Sequence, residues 1–82
     1  MPTIRVAIVS PSSGFYNFGF ADANNDSVRK GFRGVPEARL LHELEKLPAP
    51  AVASIIAKLQ GPFPLVEFVT VDDATYQRLF AE

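Results

Sequence analysis

His42 is the single imidazole in a chain of 82 residues that has neither cysteine nor tryptophan. Acid/base or nucleophilic chemistry near neutral pH would have to run through it, or through hydroxyl and carboxylate groups held by an orienting partner. His42 falls opposite the leucines of its helix, which makes it a surface residue, and Glu43 beside it points in another direction. Asp72-Asp73 stands where a helix begins, so it reads as a cap rather than a catalytic pair. Ser12-Ser13-Gly14 lacks the Gly-Lys-Ser/Thr run that cradles a phosphate. The residues predict no catalytic set, no cofactor and no metal.

Three stretches have the composition of binding elements. Asp22-Ala23-Asn24-Asn25-Asp26 puts oxygen ligands at the first, third and fifth positions of a calcium loop. Ser27 stands where that loop needs glycine, and Arg33 stands at the twelfth position, where it needs a bidentate carboxylate. Asn and Asp bond the local backbone in turns, so the segment reads as a structural turn. Phe18-Gly19-Phe20 has the alternate rings with which an RNA-recognition sheet stacks bases. Its neighbours are not basic and Arg5 stands on the first strand where a second ring belongs, so these rings read as core. Arg29-Lys30-Gly31-Phe32-Arg33-Gly34 sets three cations around one aromatic. Arg29, Lys30, Phe32 and Arg33 are the expected partner-binding residues, on an irregular connection that suits an acidic protein surface or a phosphate.

The elements that must position these residues follow from apolar periodicity. Ile4, Val6 and Ile8 alternate along a first strand. Ser10 to Gly14 is a turn, and Phe15 to Ala21 is a second strand, giving a hairpin. Val28 to Val35, with two glycines and three cations, is not expected to be regular. Leu40, Leu41, Leu44 and Leu47 mark a helix after Pro36. Val52, Ile55, Ile56 and Leu59 mark another after Pro50, ended by Gly61. Leu65 to Val71 is a third strand, and Tyr76, Leu79 and Phe80 line a short last helix.

The predicted fold class is α+β: a single domain over residues 1–82, in which a helical hairpin packs on one face of a small three-stranded sheet and a short C-terminal helix follows. Ile4, Val6, Ile8, Tyr16, Phe18, Phe20, Val66 and Phe68 are expected to face the helices. Arg5, Ala7, Val9, Phe15, Asn17, Gly19, Leu65, Glu67, Val69 and Val71 would then form the opposite face. That face is too apolar to be left in water. Val9, Phe15, Leu65, Val69 and Val71 are the expected interface there, for a second copy or another protein, with the C-terminal helix as the alternative cover.

Eight basic and nine acidic residues give a net charge of −1, which supplies no global attraction to nucleic acid or to acidic lipid. The apolar runs are too short to span a bilayer, and the N-terminus has no basic region followed by an apolar stretch. With no cysteine, a cytoplasmic location is the expectation. The functional expectation is a small non-enzymatic protein-binding module, an inhibitor or adaptor that occludes or bridges a larger protein or nucleoprotein partner. The alternative is a nucleic-acid-binding domain using residues 29–33.

Overall fold

A computed structural model describes residues 1–81. The element order is β1 (Thr3–Ser12), β2 (Phe15–Asp22), β3 (Asn25–Pro36), α1 (Glu37–Leu44), α2 (Ala49–Lys58), β4 (Leu65–Thr70) and α3 (Asp73–Phe80). The strands form one antiparallel sheet in the order β3-β2-β1-β4, and the helices lie on one side of it. The chain is α+β, with four strands rather than the expected three.

The extra strand is the segment expected to be irregular. From Val28 to Arg33 its residues alternate between half-buried (Val28, Lys30, Phe32) and exposed (Arg29, Gly31, Arg33). That is a strand period written partly in glycine and lysine, residue types that strand propensity disfavours, and in arginines that give no apolar parity to read. The ladder with β2 supplies what propensity lacks, pairing Phe18 with Phe32, Gly19 with Gly31 and Ala21 with Arg29. The register shifts twice along β3. At the shift between Tyr16 and Phe18, Gly34 takes φ 61, a left-handed conformation that glycine adopts without a Cβ penalty. Its N–H donates to Asn17 Oδ1 at 2.7 Å.

The core forms where the helix-facing side of the sheet meets the helices. Ile4, Val6 and Ile8 of β1 and Phe18 and Phe20 of β2 are buried with Leu40 and Leu44 of α1, Ile55 of α2 and Leu79 of α3. Tyr16 joins this core, as expected. The orientation of β4 is the reverse of expectation. Ile4 pairs with Val69 and Ile8 with Leu65, and directly opposed residues point to the same side of a sheet. Leu65, Val69 and Val71 are therefore buried under the helices, while Val66 is 49% and Phe68 63% exposed. Leu-Val-Glu-Phe-Val-Thr-Val is apolar at both parities, so alternation alone does not set its face. The inward parity also turns Glu67 toward the helix layer, where Lys58 of α2 bonds it.

Helix α2 makes a narrower contact than its apolar stripe suggests. It lies over the edge strand β4, and of its stripe only Ile55 is fully buried, while Ile56 is 44% exposed. Asp72 caps α3 as expected, its Oδ1 accepting from the Thr75 N–H at 2.7 Å. Among the described residues no helix is long and apolar enough to cross a membrane.

Candidate binding face

Among the described residues no helix covers the second side of the sheet; α3, the alternative cover, puts Leu79 into the core on the helix side. The strand register arranges its side chains in three rows. Phe68, Arg5, Ala21 and Arg29 form the first row, running from β4 through β1 and β2 to β3. Val66, Ala7, Gly19 and Gly31 form the second, and Val9 and Asn17 belong to the third. The middle row carries almost no side-chain bulk over β1, β2 and β3. Two adjoining depressions, of about 600 and 370 Å³, meet there at Ala7, Gly19 and Gly31. Arg5 and Arg29 wall this trough on one flank, and Val9 and Arg33 on the other.

Charge on this face is one-sided. Arg5, Arg29 and Arg33 border the trough, and the carboxylate beside them is Asp26, whose Oδ1 lies 3.6 Å from Arg5 Nη1. Asp26 is largely solvated in that contact, so the pair adds little to stability. Among the described residues, neither Arg29 nor Arg33 has an ion-pair partner.

The four expected partner-binding residues do not form one cluster. Arg29 and Arg33 are exposed at the trough. Lys30 points to the helix side, where its Nζ donates to the Ala81 carbonyl at 2.6 Å. Phe32 stacks on Phe18 with ring centroids 4.6 Å apart, beneath the Arg39 guanidinium at 5.2 Å. It closes the edge of the core and offers no free ring to a partner. The split follows from β3 being a strand, because consecutive residues then face opposite sides.

Of the expected sheet-face residues, Val9 and Phe15 are exposed, whereas Leu65, Val69 and Val71 are buried and drop out. Val66 and Phe68 take their place. Arg5, Ala7, Gly19 and Gly31 complete the face through cross-strand register. The first three were legible as solvent-facing by alternation, but only the β2–β3 ladder brings Gly31 beside them.

Asp22, Asn25, Glu43 and Tyr76 are committed to structure. Asp22 Oδ1 accepts from the Asn24 N–H at 2.8 Å, and its Oδ2 accepts from the Tyr76 hydroxyl at 2.9 Å. That hydrogen bond, then burial and the Asp22 charge, hold the Tyr76 hydroxyl above its usual pKa. Asn25 Oδ1 accepts from the Ser27 N–H, so Asp22 to Ser27 is a self-bonded turn and bulge. Glu43 is buried on α1 between Lys46, at 2.8 Å, and Arg39, at 3.4 Å. Burial alone would raise its pKa. The Lys46 hydrogen bond and the charges of Lys46, Arg39 and Lys30 outweigh it and hold the carboxyl below its usual range. His42 is exposed. Among the described residues, no group of three His, Cys, Asp or Glu side chains converges as metal ligands would.

No protein-family model, curated protein or solved structure matches this chain.

Proposed function

We propose that this protein is a non-enzymatic protein-binding module that docks through the open side of its sheet, acting as an inhibitor or adaptor that occludes or bridges a larger protein or nucleoprotein partner. One observation carries the reading. The uncovered face joins exposed apolar side chains, Val9, Phe15, Val66 and Phe68, to a trough bordered by arginines. Monomeric proteins rarely leave a contiguous apolar patch in water unless it meets something. Arginine and aromatic residues are the types that dominate contact energetics. The carboxylates and the histidine support the non-enzymatic part, since they cap, pair or stand alone.

The test is affinity capture from the native host with the wild type and with Phe68→Glu. The substitution changes a residue already in water, so the fold should persist while specific partners are lost. Equal recovery by both proteins would remove the sheet face as the contact surface. A second copy is the other occupant of interest, and light scattering at rising concentration detects it directly.

A nucleic-acid reading has one observation in its favour, the approach of Arg5, Arg29 and Arg33 to a face that also presents Phe68. Single strands use this combination of cations and stacking rings. It predicts binding that weakens steeply with salt.

A further inference from the structure

We propose that the open sheet face takes an extended acidic segment of a protein partner, laid across β1, β2 and β3 in the trough over Ala7, Gly19 and Gly31, with its carboxylates on Arg29, Arg33 and Arg5. This rests on the docking face described above and names the chemistry of what docks.

Charge complementarity carries it. Three guanidiniums border the trough, two of them without an ion-pair partner among the described residues. The third holds the side chain of Asp26, which reaches Arg5 from the β2–β3 bulge. The molecule thus already displays a carboxylate at one corner of the site. Asp26 is 75% exposed, so an incoming carboxylate can displace it. Guanidinium groups pair with carboxylates through paired N–H donors, which suits an acidic chain.

The dimensions select an extended chain. Arg5 and Val9 are four residues apart on β1, which sets the trough walls about 13 Å apart between Cα atoms. Their side chains occupy part of that span, leaving less than the roughly 10–12 Å diameter of a helix. From Ala7 to Gly31 the floor crosses two strand spacings, about 10 Å, and a segment of about three or four extended residues covers it. Val66 and Phe68 continue the face over β4, so apolar residues next to the acidic ones gain contact there. A nucleic-acid strand fits less well. The trough floor presents no ring for a base, and Phe68 stands at the far end of its row from Arg29.

The experiment uses a dye-labelled decapeptide alternating glutamate with leucine and valine, its glutamine counterpart, and a thymidine oligonucleotide of similar length. Fluorescence anisotropy reads binding, with the dye uncharged. The glutamate peptide should bind with Kd below about 1 mM and at least about tenfold more tightly than the glutamine peptide. Gly31→Glu introduces a carboxylate where a new Cβ meets no atom within 4 Å, so it should preserve the circular-dichroism spectrum while abolishing binding. Arg29→Glu with Arg33→Glu should do the same. Asp26→Asn, which frees Arg5, should tighten binding about two- to threefold, an outcome that general loss of structure cannot produce.

Equal binding of the glutamate and glutamine peptides would overturn the proposal. So would tighter binding of the oligonucleotide with the same arginine dependence, which would transfer the site to nucleic acid. No peptide binding, with host capture still lost in Phe68→Glu, would reject the acidic chemistry and leave the docking face. Failure in both would reject the face as well.

Discussion

Ile55 and Ile56 are adjacent, equal in volume and opposite in fate. Ile55 is fully buried while Ile56 stands in water on the flank of α2. Truncating Ile55 to alanine should cost about 2–5 kcal/mol, the range for a buried aliphatic side chain that leaves a cavity. Ile56→Ala should cost under about 1 kcal/mol. Urea denaturation of both variants checks this, and equal costs would mean that α2 sits differently on the sheet. The helix period marks both residues as apolar-facing. It carries no information on how wide a contact the sheet edge can offer, and that width decides which one is buried. Glu43 and Asp72 make the second prediction at this scale. Both carboxyls are held below their usual pKa, Glu43 despite its burial by the Lys46 hydrogen bond and the surrounding cations, Asp72 by the Thr75 hydrogen bonds. A depressed folded-state pKa contributes stability above the unfolded value and loses it as pH falls through the folded one. Stability should therefore hold at neutral pH and decline below the unfolded values, 4.5 for Glu43 and 3.8 for Asp72. Thermal melts from pH 7 to pH 2.5 should show that decline flattened in Glu43→Gln with Asp72→Asn. The Asp72 cap was legible from its place before a helical run. The partners of Glu43 also stand at helix spacing, Arg39 at i,i+4 and Lys46 at i,i+3, but its burial was not legible, because that depends on how α1 sits on the sheet.

Among the elements, β4 is the discriminating one. Val69→Glu places a charge in the helix-facing core beside Ile4 and should unfold the protein or lower its melting temperature sharply. Val66→Glu and Phe68→Glu face water and should leave the melting temperature within a few degrees of wild type. Reversal of that order in thermal melts would mean the opposite parity. Lys58→Glu should also destabilise, since it sets like charges against each other where Lys58 now bonds Glu67, and Lys58→Glu with Glu67→Lys should recover part of the loss. Strands β1 and β2 were readable because their large β-branched and aromatic residues, Ile4, Val6 and Ile8 and then Tyr16, Phe18 and Phe20, recur at one parity. The direction of β4 was not readable, because both of its parities are apolar and only pairing with β1 selects one. Strand β3 was hidden for a different reason. Glycine and lysine weaken a strand in isolation, and the ladder with β2 supplies its order.

For the whole molecule, the α+β class followed from periodicity, whereas the side taken by α3 did not: this helix was an alternative cover for the opposite face, and its Leu79 instead joins the core with α1 and α2. The contact surface followed only in outline. An apolar outer face was legible on β1 and β2, but its β4 residues were of the opposite parity, and its trough exists only where Ala7, Gly19 and Gly31 line up across three strands, far apart in sequence. The net charge of −1 conceals a face on which arginines outnumber carboxylates, so binding there should weaken with salt yet persist near physiological ionic strength. The most direct measurement of the central claim is quantitative affinity capture from the native host with four proteins: wild type, Gly31→Glu, Phe68→Glu and, on the helix layer, Ile56→Glu. The docking face predicts partners enriched by wild type and by Ile56→Glu and lost with both sheet variants, all four remaining folded by circular dichroism. Partners retained by Gly31→Glu and Phe68→Glu but lost with Ile56→Glu would contradict it and move the contact surface to α2.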